Sequence, residues 1–151
     1  MNGKKKRGRK PKGGKIVKMD NHKVKKIMKE NNIISDNIIF DNKRQTTAKT
    51  RIVSQGQQMI RFDQESIHNI SDKIEQKVIK SIENIVCDMD AVIIADYGKG
   101  VLTNSLISKI FRLSKLNNIP INVDPKFGDF SCFSHAHLLK PNVLEFQSVV
   151  G

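Results

Sequence analysis

Tryptophan is absent from the 151 residues, tyrosine occurs once, and there are only four prolines and two cysteines. With so few aromatic groups, any core has to be aliphatic, and isoleucine dominates the apolar positions. Cys87 and Cys132 form neither a Cys-x-x-Cys pair nor a disulfide framework, so two ordinary thiols in a reduced, cytoplasmic setting are expected. No run approaches the ~20 apolar residues of a membrane span, and the basic N-terminus lacks the apolar stretch of a secretory signal, so no membrane partner is expected. His135 and His137 stand two residues apart without a supporting cluster of His or Cys, which argues against a direct metal site.

Acidic residues are scarce at one end. Residues 1–30 hold 13 Lys/Arg and 2 acids, a net charge of +11, whereas residues 31–151 carry a net charge of +1. The overall +12 is therefore a property of the N-terminus. Apart from Met1, residues 1–18 contain nothing apolar before Ile16 and read as a disordered basic tail, because they cannot bury enough surface to offset the entropy of ordering. Within it, "RGRKP" is similar to the AT-hook that lies in the minor groove of A·T-rich DNA, with Lys10 standing before the proline. Arg7, Arg9 and Lys10 are candidate nucleic-acid contacts, with a solubilising or linker tail as the plainer reading.

The remainder, residues 19–151, reads as one domain. "DNHKVKKIMKENN" has helical spacing at Val24, Ile27 and Met28, and "IISDNIIF" reads as a turn and short strand. Residues 44–63 form a β-hairpin about the turn signal "SQGQ", with Lys49 and Arg51 on one face. From Ser71 the period changes. "SDKIEQKVIKSIENIV" predicts an amphipathic helix with Ser71 or Asp72 as cap and Glu75 placed for a capping box. "DAVIIAD" reads as a strand buried on both faces, and Thr103 caps a second helix with Leu106, Ile107 and Ile110 inward. "INVD" and "HLLK" are further strands, and "NVLEFQSVVG" opens a third helix. Buried strands alternating with helices over residues 71–151 predict an α/β core with a mainly parallel sheet. In such sheets ligands sit beyond the carboxyl ends of the strands, where Asp96, Asp124 and Asn142 fall. Asn142 with Glu145 also fits a capping box, so a structural role competes with an anion-binding one.

Three blocks taken together, "TTAKTRIVSQGQQMIRFD", "ADYGKGVLT" and "VDPKFGDFSCF…LLKPNVLEF", resemble the ribokinase-like (PfkB) sugar kinases, in particular the heptose-7-phosphate kinase domains of the bifunctional heptose kinase/adenylyltransferases. The resemblance runs from about Lys23 to Gly151. It implies a partial three-layer ribokinase-like fold with a hairpin lid, a phosphotransferase acting in lipopolysaccharide core precursor synthesis, and ATP and Mg²⁺ as cofactors; a homodimer is a further candidate partner. It further implies that Asp124, Lys126, Asn142 and Glu145 face the nucleotide phosphates and Mg²⁺. Lys49, Arg51, Gln57, Arg61, Asp96 and Lys99 would face the sugar phosphate. The family's early Gly-Gly sugar-binding segment and its Gly-Ala-Gly-Asp motif, which carries the catalytic base and anion hole, do not occur among the 151 residues. The expectation is a partial kinase domain without its own catalytic residue, inactive alone.

Overall fold

The computed structural model describes residues 21–126 and 129–151. The basic tail, with Arg7, Arg9 and Lys10, lies outside the described residues. The chain divides into two units, Met1–Ile38 and Ile39–Gly151. In the first, helix α1 spans Asn21–Glu30. Asn32 ends it in the left-handed conformation, φ 55°, which Asn tolerates better than most residues. The strand expected in "IISDNIIF" is not formed: residues 33–47 hold no strand. An isolated run of this length has no edge to pair with, so apolar character alone does not make it β.

The second unit opens with a β-hairpin, β1 (Ala48–Ser54) and β2 (Gln57–Gln64), paired antiparallel. Gln55 and Gly56 form its two-residue turn with φ 51° and 80°, the positive pair of a type I′ hairpin. A register shift at Ile52/Val53 places a bulge in the pairing. Next comes α2 (Asp72–Ile85), then β3 (Val92–Ala95), α3 (Asn104–Leu116), β4 (Ile121–Asp124), β5 (Leu138–Leu139) and α4 (Val143–Val150). The three later strands form a parallel sheet in the order β3-β4-β5.

Period-two alternation sorts the sheet residues onto two faces. Ile94, Ile121 and Val123 point into an aliphatic core shared with Ile79 of α2 and Leu106, Ile107 and Ile110 of α3. Both helices therefore pack on the same side. The other face differs from expectation. Ile93 is 76% exposed beside Ile94 at 4%, and Leu138 is 54% exposed. Val92–Ala95 is aliphatic on both faces, yet no described residue covers the second. The described residues thus form two layers, and the third expected layer is not among them. α4 leaves the sheet edge with Glu145 as its only buried residue.

A second correction concerns Glu75. Ser71 is the N-cap of α2 but makes no side-chain cap bond, and Glu75 builds no capping box with it. Its carboxylate instead accepts the Thr103 hydroxyl at 2.6 Å, while Thr103 Oγ1 caps α3 by accepting the Leu106 N–H at 3.0 Å. A buried carboxylate needs donors. The free donor at the start of α3 outcompeted a local bond in the first turn of α2. No described helix is long and apolar enough to cross a membrane.

Candidate functional site

The carboxyl edge of the parallel sheet is where the chain's polar strand-end residues meet. β3 and β4 run in register through Ala95 and Asp124, and the Asp96 N–H continues the ladder by donating to the Asp124 carbonyl at 2.9 Å. The Asp96 carboxylate turns back to accept the Gly98 N–H at 2.7 Å, tightening the turn "DYG". Gly98 has φ 62°, and a Cβ there would lie 3.2 Å from Lys126 Cγ, so the Lys126 stem passes across this turn. Lys126 Nζ in turn sits 3.5 Å from Glu145 Oε1. On the next strand, the Lys140 N–H donates to the Val123 carbonyl, which carries the chain from β5 to Asn142. Asp96, Asp124, Lys126, Asn142 and Glu145 are thereby joined by an unbroken series of contacts along one edge.

The start of α4 is a full capping box. Asn142 Oδ1 accepts the Glu145 N–H at 2.9 Å, and Glu145 Oε2 accepts the Asn142 N–H at 2.8 Å. Both oxygens of the buried Glu145 carboxylate are therefore engaged, one by the cap and one by Lys126. This satisfies an otherwise costly buried charge. Among the described residues no group of three or more His, Cys, Asp or Glu could hold a metal directly. A Mg²⁺ ion that keeps most of its waters needs only one or two carboxylates. Asp124, exposed at the end of β4 beside Asp96, fits that requirement.

The six residues assigned to the sugar phosphate divide into separate groups. On the hairpin, Lys49 and Arg61 flank Asp63 at 3.1 and 3.4 Å. The Lys49 hydrogen bond, followed by the charges of Arg61, Lys49 and Arg51, holds the Asp63 carboxyl below the usual carboxylate range against opposing desolvation. Arg51 stands directly opposite Arg61 in the register. Like charges in that position repel, and three cations around one carboxylate leave this face net positive. Gln57 lies apart: it pairs with Ser54 at the hairpin tip, on the face opposite Lys49 and Arg51. Asp96 and Lys99 belong to the sheet edge.

Lys99 reveals two residues that sequence reasoning missed. Its ammonium pairs with Glu65 just after β2. Arg44 donates to the carbonyls of His68, Ser66 and Lys99, tying the foot of the hairpin to the same turn. The Ile70 N–H adds a bond to the Gly100 carbonyl at 2.8 Å. No local pattern marks Arg44 or Glu65, because their partners stand 55 and 34 residues away.

Carboxylates, an ammonium group and a capped helix start thus share one edge of a parallel α/β unit. Comparison with known proteins narrows the resemblance. The chain is similar to proteins named "Bifunctional protein HldE": 34% identity over 130 residues with that of Aliarcobacter butzleri, 37% over 120 with that of Sulfurimonas denitrificans, and 36% over 120 with that of Helicobacter pylori. These alignments cover 86%, 80% and 80% of this chain but 27%, 25% and 26% of the relatives. The chain thus spans about a quarter of the length of the curated relatives it matches. No protein-family model matches it.

Proposed function

We propose that this chain supplies the phosphate-handling part of an ATP-dependent sugar kinase, with D-glycero-β-D-manno-heptose 7-phosphate as acceptor and its anomeric hydroxyl as the phosphorylated group. The observation that carries the reading is the continuous contact series from Asp96 through Asp124 and Lys126 to the capped start of α4. The resemblance of the three sequence blocks to heptose-7-phosphate kinases supplies the acceptor, and the HldE relatives agree with it.

In this reading Lys49, Arg51 and Arg61 take the sugar 7-phosphate, which relieves the repulsion between the two opposed arginines. Lys126 and the first N–H groups of α4 bear on the nucleotide phosphates, and Asp96 limits the turn bordering both. Asp124 would hold Mg²⁺, which would supply charge neutralisation at the transferred group. The acceptor oxygen bonds to the γ-phosphorus as the bond to the β–γ bridging oxygen breaks, and ADP leaves. Such transfer is promoted mainly by positioning and charge stabilisation. The resemblance gives the proton-accepting Asp to a motif that these 151 residues do not contain, so by themselves they bind without turnover.

Calorimetric titration with heptose 7-phosphate and with Mg·ADP tests this. Saturable binding of each is expected. Arg51→Ala or Arg61→Ala should weaken the sugar phosphate about tenfold or more, the scale of a charge-assisted hydrogen bond, and leave Mg·ADP unchanged. Failure of both ligands to bind would overturn the reading, and ATP consumption by the 151 residues would overturn the claim of binding without turnover. A second reading, polyanion binding by the N-terminal region, is favoured by its charge of +11 and by the basic helix α1 with Lys23, Lys25, Lys26 and Lys29. It predicts DNA affinity that falls steeply with salt and is lost on removing residues 1–18.

A further inference from the structure

A cavity lies toward the other end of the sheet. With a volume of about 720 Å³, it opens between the second half of α3, the start of β4 and the loop leading to β5. It lies beside Ile119 and Ile121, whereas the candidate crevice lies past Asp124 at the far end of the same strand. The volume is that of a pocket for a small organic molecule.

Its lining has one sign of charge. Arg112 and Lys115 of α3 stand at the cavity, and neither is in an ion pair with a described residue. His135 and His137 line it from the loop before β5. The His137 Nδ1 accepts the Ile121 N–H at 3.1 Å, which leaves Nε2 as the protonated, donating nitrogen. No Asp or Glu contributes to the lining. Cys132 adds no negative charge, since burial first, and the charges of Asp129 and Asp96 after it, push its thiol up. The uncharged lining is mixed: Ser108, Ser114 and Asn118 are polar, and the apolar part is Ile119, Ile121 and Phe111, whose ring meets that of His135 edge-on with centroids 6.5 Å apart. Cations in the last turns of a helix also favour its dipole, which accounts for Lys115 near the end of α3. It does not account for two imidazoles on a separate loop facing the same space.

We infer that this cavity binds a small organic anion with a flat apolar body, of the aryl phosphate type, independently of the crevice at the opposite sheet edge. The apolar body would lie against Phe111 and Ile121, with the phosphate between Arg112, Lys115 and the histidines. A bare phosphate would forgo the apolar contact, and a neutral aryl group would forgo the charge.

The test uses the full 151-residue chain and 1-naphthyl phosphate, followed by amide chemical shifts, with inorganic phosphate and 1-naphthol as separate arms. Saturable shifts at Arg112, Ile119, Cys132 and His137 are expected, with at least tenfold weaker binding in each single-component arm. The double charge reversal Arg112→Glu/Lys115→Glu should weaken naphthyl phosphate at least tenfold. Arg112→Gln/Lys115→Gln serves the same comparison should the reversal fail to fold. Lys49→Ala, on the hairpin, should leave this binding unchanged, so failure here is distinguishable from failure of the kinase reading. Absence of saturable binding, equal binding of phosphate alone, shifts confined to residues 96–99 and 142–145, or indifference to the charge substitutions would each overturn the proposal.

Discussion

Gly100 is fixed both by its backbone conformation and by a close approach to another segment. Its φ is 71°, and a Cβ would stand 2.3 Å from the His68 carbonyl oxygen. Gly100→Ala should cost about 1–2 kcal/mol for the left-handed backbone alone, and more for the contact with backbone that cannot swing aside. Urea unfolding measures this, and an unchanged midpoint would contradict the close approach. Glu75 gives a pH signature. The Thr103 hydroxyl, then that of Ser105, holds its carboxyl below the usual glutamate range despite burial. A depressed folded-state value means that the contribution is present above the unfolded value and is lost as pH falls through the folded one. Unfolding free energy followed from neutral to acid pH should therefore decline less steeply in Glu75→Gln than in the parent chain, and identical slopes would refute the Thr103 bond. These two residues also mark what could be read in advance. The Asn142–Glu145 box and the Thr103 cap were legible because partner and donor lie three residues apart. The Glu75–Thr103 bond was not, because it spans 28 residues and depends on how α2 packs against α3.

Among elements, the sheet was legible in its strands and misread in its faces. Aliphatic runs between turn signals identified β3, β4 and β5, since burial selects such residues whatever covers them. The runs do not reveal which face has a partner, and the Ile93–Ile94 pair separates the two. Ile94→Ala should cost about 2–5 kcal/mol, as for other buried large-to-small changes, whereas Ile93→Ser in the 151-residue chain should stay within about 0.5 kcal/mol. Comparable losses at both positions would mean that the second face is covered. The hairpin makes the opposite point. Its strands and turn were plain from β-formers around "SQGQ", but its attachment was not. Both strands are mostly exposed, and an isolated hairpin is marginal in water. Arg44 and the Glu65–Lys99 pair hold its foot. Arg44→Met should speed amide exchange across residues 48–64 while leaving residues 92–95 and 121–124 protected. Unchanged hairpin exchange would show that the foot is fastened elsewhere.

At the scale of the whole molecule, charge and chemistry are segregated. The positive excess belongs to the first 30 residues, and in the near-neutral remainder Asp96, Asp124, Lys126, Asn142 and Glu145 gather at one sheet edge. That convergence followed from topology rather than from any single motif: right-handed βαβ connection sends successive strands the same way, so their ends collect at one side. The sequence therefore indicated which strand ends would meet. It did not indicate that Lys126 would reach Glu145, or that Gln57 would stand apart from the hairpin cations, because both depend on pairing chosen in three dimensions. The most direct test of the account is an amide chemical-shift titration of the 151-residue chain with Mg·ADP. The account predicts saturable changes gathered at residues 96–99, 124–126 and 142–145. Absence of binding, or changes that spare this edge, would contradict it.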